Sequence, residues 1–301
     1  MRSVGNKKRL RRTMMFLNTQ RPALVKDAFV YEPDSVIFDL EDAVSMNQKD
    51  AARISLYYAL KTDYHGVERI VRINGTDTNL WENDVRCCVA GGADGIRIPK
   101  CEVPEDVRKV EAAVEAAEKE FGRPVGSTLL MAAIETPLGV IHAYELAKSS
   151  ERIFGISIGA GDYIRTMHAT RTSSGEEMFA ARANVVIAAR AADIQCFDTV
   201  HFQEVYNLVA LEKETILIKN MGFDGKSVIN PLHIPVIHNV FTPSPEEIAR
   251  SEKIIFAIRE QAGEGIGVFV KDGMQLDIAN LEPAERVIAL AKAAGVYRGA
   301  L

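Results

Sequence analysis

The sequence predicts an α/β fold in which eight strand–helix units close into a (β/α)₈ TIM barrel, followed by a C-terminal helical extension. Three observations carry this expectation. Short apolar runs of β type recur along most of the chain, and segments with helical spacing or strong helix formers separate most of them. No Gly-x-Gly-x-x-Gly follows an early run, which argues against an open doubly wound sheet. At 301 residues and 47% hydrophobic content, the chain can bury a barrel-sized core.

In order, the runs are TMMFL from residue 13, SVIFDL from 35, RIVRIN from 69, GIRIPK from 95, STLLMAAIE from 127, RIFGISIGAGD from 152, QCFDTV from 195 and KSVIN from 226. The clearest helical segments are 49–61, 105–121, 177–192 and 208–222. Run lengths fit a barrel over residues 1–235 that closes near residue 230. Beyond it, TPSPEEIARSEKIIFAIREQA (242–262) opens with helix-start chemistry and continues as a long amphipathic helix. GEGIGVFVKDGMQLD reads as a short hairpin, and EPAERVIALAKAAG as a final helix. Residues 236–301 are too few to bury much core alone, so they are expected to pack on the barrel or on a neighbouring subunit.

A net charge of −5 and a pI near 5.8 argue against a nucleic-acid-binding surface. One local exception is KKRLRR (7–12), either a solvated arm or an anion-binding entry to the first strand. No apolar stretch is long enough to span a bilayer and no signal-peptide core is present, so a cytoplasmic protein is expected. Four cysteines without a Cys-x-x-Cys pair read as reduced thiols.

In such barrels the chemistry sits at the C-terminal ends of the strands. Here those ends carry Asn18; Asp39 with Glu41 and Asp42; Arg72 with Asn74; Lys100; Glu135; Asp162; Asp198; and Ser227 with Asn230. Any one of these reads equally as a charged loop residue. Together they suit an anionic substrate and a hard cation. Glu135 and Asp162, with no His or Cys partner nearby, suit Mg²⁺ or Mn²⁺ better than zinc. Asp39, Glu41 and Asp42 would surround the metal's waters. A guanidinium at Arg72 suits a carboxylate or a developing oxyanion, and a structural ion pair with one of the acids is the competing reading. His142 and His168 read as packing or surface residues.

VRIN, AAIETPLG, IGAGDY and GFDGKSVINP, together with FDLEDAV, resemble the motifs of the citrate lyase beta chain and the malyl-CoA and citramalyl-CoA lyases, within the pyruvate/phosphoenolpyruvate barrel superfamily. The likeness covers most of the chain. It implies that Glu135 and Asp162 bind Mg²⁺, that Arg72 stabilises an enolate, and that Glu41 and Asp42 lie near the metal's waters. DGMQLDIANLEPAERV resembles the family's C-terminal signature and implies that Asp277 is a catalytic acid reaching a neighbour's site.

The implied reaction is cleavage of a 3-hydroxyacyl thioester (citryl, citramalyl or malyl, on CoA or an acyl carrier protein) to an acetyl thioester and a 2-oxo acid. Arg11, Arg12 and Lys100 would contact phosphates of CoA or of a phosphopantetheine arm. The resemblance also implies a homotrimer or hexamer. One departure is FLNTQRP (16–22), where the family carries a Phe-Val-Pro-Gly turn. Two alternatives accompany this expectation: a subunit of a citrate lyase-type complex that is inactive alone, and an aldolase acting on free 2-oxo acids.

Overall fold

Eight parallel strands pair in chain order and the last returns to the first, closing a barrel. They are β1 (Thr13–Asn18), β2 (Ser35–Asp39), β3 (Glu68–Arg72), β4 (Gly95–Ile98), β5 (Leu129–Ile134), β6 (Ile153–Ile158), β7 (Gln195–Asp198) and β8 (Gly225–Val228). Every one falls within a residue of a predicted run, because strands buried on both faces leave near-continuous apolar signals. The computed structural model describes residues 9–201, 204–263, 268–271 and 273–301.

Side chains alternate along a strand, so only every second residue points into the barrel. At its base, Met14, Ile37, Ile70, Leu129, Met131, Phe154 and Phe197 form one buried cluster with Phe16 against it. Burial of each stabilises the fold by roughly 1.5–3 kcal/mol. Two residues beyond Ile37 and Ile70 on the same strands, the inward positions become Asp39 and Arg72. The floor is hydrocarbon and the rim is charged.

The N-terminal end of the barrel corrects the reading of the basic run. Arg11 is fully buried. Its Nε and Nη2 donate to Glu68 at 2.7 and 2.6 Å, its Nη1 to Gln195 Oε1 at 2.6 Å, and its guanidinium lies 4.1 Å from the Phe154 ring centroid. Arg12 grips Asp34 through Nε and Nη2 at 2.9 and 2.8 Å. Both close the end of the barrel opposite the strand C-termini, so neither is placed to meet a phosphate there. Lys7 and Lys8 lie outside the described residues.

The chain divides into two compact units at His238 and Asn239. In the second, the long helix Pro245–Gly263 starts three residues later than the predicted segment. Ser244 Oγ accepts from Glu247 N (3.2 Å) and Glu247 Oε2 accepts from Ser244 N (2.8 Å), a reciprocal cap that sets the start. The expected hairpin is present as antiparallel β9 (Val268–Lys271) and β10 (Met274–Asp277). Helix Leu281–Ala293 packs Ala284 and Ile288 against Ile255. A helix that the sequence reading passed over, His233–Phe241, follows β8. All four cysteines are free thiols, and burial pushes Cys87 up to about 11. Among the described residues no helix is long and apolar enough to cross a membrane.

His238 ties the barrel's last helix to its first strand, with Nε2 2.8 Å from Thr13 Oγ1 and 3.7 Å from Asp34 Oδ1. Burial lowers its pKa from 6.5 to about 4, against the opposing pull of Asp34. Between those values the unfolded chain binds a proton that the folded chain does not, so stability falls as pH drops from 6.5 towards 4. The loss should reach at most about 3 kcal/mol. Urea unfolding across that window should show a shallower acid slope for His238→Gln than for the parent chain. Equal slopes would rule the assignment out.

Candidate active site

Asp39 and Arg72 are register partners on β2 and β3, so their side chains enter the mouth side by side. Arg72 donates from Nε to Asp39 Oδ1 at 2.8 Å and from Nη2 to Oδ2 at 2.6 Å, a forked pair. The same two oxygens accept the backbone amides of Glu41 and Ala43 at 2.9 and 3.1 Å. Burial alone would raise the Asp39 pKa, but Arg72 and these amides hold it below the usual carboxylate value. Both Asp39 oxygens are thus taken up by Arg72 and the loop amides. Asp39 orients Arg72 and shapes the loop that carries the other acids.

Arg72 keeps Nη1 for Glu41, 2.9 Å from Oε2, with Asp42 Oδ2 at 3.7 Å. The two readings of Arg72 thus coincide: it is ion-paired, and it lines the cavity at the mouth. Glu41 is buried, which raises its pKa despite Arg72 and Lys100. Asp42 is the exposed member of the trio. Lys100, in a left-handed conformation at φ 50°, puts Nζ 2.9 Å from Glu41 Oε1, 3.7 Å from Asp162 Oδ2 and 4.0 Å from Asp42 Oδ1. The mouth does receive Lys100, where its ammonium is matched with three carboxylates.

Two features of this loop were missed in the sequence. Lys49 donates to the carbonyls of Leu40 and Glu41 at 2.7 Å each, pinning the acid-bearing backbone. The unusual FLNTQRP turn is tied to the same loop: Thr19 Oγ1 donates to Asp39 O at 2.5 Å and Asn18 Nδ2 to Ala43 O at 2.9 Å. Side-chain hydroxyl and amide groups here do the work of a Pro-Gly turn. The Lys49 contacts span only nine and eight positions within the connection after β2, whereas the Asn18 and Thr19 contacts join the ends of two separate strands and have no local pattern.

Glu135 follows β5 directly and is 4% exposed. Thr136 caps the next helix by accepting from Gly139 N, which fixes the chain's direction just past the carboxylate. Among the described residues its ion pair is a long one, 3.6 Å to Arg97 Nη2. Burial, with Glu41 and Asp162 adding like charge, raises its pKa. Asp162 lies in the first turn of helix Ala160–Thr166, where Oδ1 accepts from Arg165 Nη2 at 2.5 Å. Both acids line a cavity of about 220 Å³ together with Phe16, Arg72, Arg97 and Ser227. A buried, weakly compensated carboxylate beside a second one fits a hard divalent cation, since Mg²⁺ takes one or two protein carboxylates and leaves its other positions to water and substrate. Among the described residues, no cluster of three or more His, Cys, Asp or Glu residues has metal-binding geometry.

Asp277 belongs to the second unit, where its Oδ1 accepts from Ala279 N at 2.8 Å and caps the turn Ile278–Asn280. Asp198, read as a rim acid, is fully buried between Lys226 (2.7 Å) and Arg182 (2.8 Å). His142 Nδ1 lies 2.8 Å from the carbonyl of Glu102, a packing role.

Gly159 makes the acid pair possible. A Cβ there would fall 2.7 Å from Glu135 Cγ and 3.0 Å from Cδ, so only glycine lets the end of β6 pass this carboxylate. Gly159→Ala should displace Glu135 and weaken Mn²⁺ binding about tenfold or more, by analogy with losses from disturbed metal-site supports. Electron paramagnetic resonance titration would measure this, with circular dichroism to check the fold. Unchanged affinity would remove Glu135 from the cation site.

Comparison with known proteins agrees with this geometry. A family model described as HpcH/HpaI aldolase/citrate lyase matches residues 12–231. Citrate lyase subunit beta of Leuconostoc mesenteroides subsp. cremoris is 46% identical over 289 residues, covering 96% of this chain and 95% of the relative. Citrate lyase subunit beta of Escherichia coli K12 is 40% identical over 291 residues, 96% of each chain. The crystal structure of CitE from Mycobacterium tuberculosis with magnesium, acetoacetate and coenzyme A superposes with a TM-score of 0.76 at 27% identity, covering 97% of this chain and 100% of that one. With a closed barrel, charged strand ends and likeness along almost its whole length, the chain belongs to the HpcH/HpaI aldolase/citrate lyase family.

Proposed function

We propose that this chain is a Mg²⁺-dependent carbon–carbon lyase that cleaves an acidic 3-hydroxyacyl thioester into an acetyl thioester and a 2-oxo acid. One observation carries the reading: a rigidly held guanidinium, Arg72, a buried and weakly compensated carboxylate, Glu135, and the half-buried Asp162 line one small cavity. The names of its relatives, and the magnesium and coenzyme A bound to CitE, support it.

Glu135 and Asp162 would hold the ion, which when bound supplies Lewis-acid polarisation of an oxo-acid oxygen. The remaining work falls to the protein. In the cleavage the hydroxyl gives its proton to solvent, the carbon–carbon bond breaks as that oxygen becomes the carbonyl of the 2-oxo acid, and the bond's electron pair moves into the thioester as an enolate. Arg72, held in place by Asp39, presents fixed N–H donors to the oxygen where that charge develops. Lys100 and Arg72 share the charge of Glu41, which keeps the rim from repelling an anionic substrate. Asp277, supplied by a neighbouring copy in a homo-oligomer, protonates the enolate carbon to complete the acetyl group. A cytoplasmic location belongs to this reading, since four free thiols suit a reducing compartment.

The purified chain should be assayed with Mg²⁺ on citryl-CoA, citramalyl-CoA, malyl-CoA and carrier-bound citryl thioester, with the 2-oxo acid trapped. Arg72→Lys should lower kcat by roughly 10²–10³. Glu135→Gln should reduce both Mg²⁺ affinity and activity while the fold is retained. Absence of product from every thioester would end the proposal. Turnover only with the carrier-bound substrate, or only beside other subunits, would favour a subunit of a larger complex, which the relatives' names as subunits support.

Donation across subunits has its own test. Arg72→Ala and Asp277→Asn chains, each inactive, should regain part of the activity when co-assembled. Mixed oligomers verified by native mass spectrometry but still inactive would exclude it.

A further inference from the structure

Strand register places a second polar layer beneath Arg72. Strands of a closed barrel are tilted, so residues at one level advance by about one position from strand to strand, and each level is filled by alternate strands. From Arg97 on β4, the observed pairings lead to Ser157 on β6, Ser227 on β8 and Ile37 on β2, and back to Arg97. The level below holds Met14, Ile70, Met131 and Phe197, all apolar, and the level above holds Phe16 and Arg72.

Three of the four residues at this level are polar, buried and unsatisfied. Arg97 is 3% exposed, with Nε and Nη1 lacking any hydrogen-bond partner; Ser157 Oγ and Ser227 Oγ are buried without one as well. Arg97 and Ser227 line the 220 Å³ cavity. The guanidinium lies 5.3 Å from the Phe16 ring centroid, and Arg72 is 5.1 Å from the same ring, so two cations share one aromatic. An unmatched buried donor costs about 1–3 kcal/mol, and more when charged. Among the described residues Arg97's ion pair is with Glu135 at 3.6 Å, the carboxylate assigned to the divalent cation, and Glu41 acts on it from farther away. With a cation on Glu135, Arg97 needs another anion.

We infer that Arg97, Ser157 and Ser227 form a carboxylate subsite in the floor of the cavity, which selects substrates whose 2-oxo-acid half carries a second carboxylate. A guanidinium flanked by two hydroxyls offers donors on several sides of one carboxylate, and excludes a methyl group that would leave all three unmatched. The cleaved product is then a dicarboxylic 2-oxo acid. The inference rests on the lyase reading for its substrate, while the subsite itself rests on the barrel interior.

Two measurements test it separately from that reading. In equilibrium binding with Mg²⁺, the chain should prefer oxaloacetate to pyruvate, and Arg97→Met should reduce that preference by about tenfold to a hundredfold. Ser227→Ala should reduce it severalfold, which keeps the test open should Arg97→Met fail to fold. In turnover, the ratio of kcat/KM for citryl to citramalyl thioester should fall by the same factor in Arg97→Met. Loss of discrimination in binding without cleavage of any thioester by the parent chain would retain the subsite and remove the lyase reading. Cleavage by the parent chain with discrimination unchanged in both variants, or equal weakening of both oxo acids, would overturn the subsite and leave those residues as hosts of internal water.

Discussion

The forked pair between Asp39 and Arg72 is the constraint on which the mouth depends. Neighbouring parallel strands bring the two residues to the same register, and two hydrogen bonds of 2.8 and 2.6 Å fix the guanidinium plane. The carboxylate also accepts two amides of the following loop. One buried group thus sets the direction of a cation and the path of the backbone bearing Glu41 and Asp42. Removing one partner of such a pair leaves an uncompensated buried charge, a loss of about 3–5 kcal/mol.

The two ends of the barrel use buried charge in different ways. At the N-terminal end Arg11 is matched by Glu68, Gln195 and an aromatic face, and the ends of β1, β3 and β7 are locked together. At the C-terminal end compensation is incomplete: Glu135 has a 3.6 Å ion pair, and Arg97 has two unmatched nitrogens. Saturated networks hold a fold, whereas unsaturated ones in a cavity are poised for a ligand. Apolar packing between these ends supplies the stability that tolerates the mismatch.

Likeness to citrate lyase beta subunits and the physical reading of the mouth support one another without being the same argument. The first assigns the chain to a family. The second explains why Gly159 is glycine, why Asp39 is acidic, and why the turn Asn18–Pro22 tolerates the loss of a Pro-Gly signature: its side chains are bonded to the acid loop.

Several features were legible in the chain alone. Eight strands announce themselves because burial on both faces makes each a dense apolar run, and the acids at their ends stand out against that background. Glu135, Asp162 and Arg72 were read from that contrast and from motif resemblance, and the structure gathers them around one cavity. The sequence misassigned Arg11, Arg12 and Asp198, because a charged residue next to a strand looks the same whether its partner lies across the barrel or in solvent. The unsatisfied layer of Arg97, Ser157 and Ser227 was invisible for a related reason. Those residues are 60 and 70 positions apart and meet only through strand tilt and register. Local chemistry thus determined which segments become staves and which residue types crown them. Closure of the sheet alone decided which charges face one another, since pairing energy depends on distances that no single segment encodes.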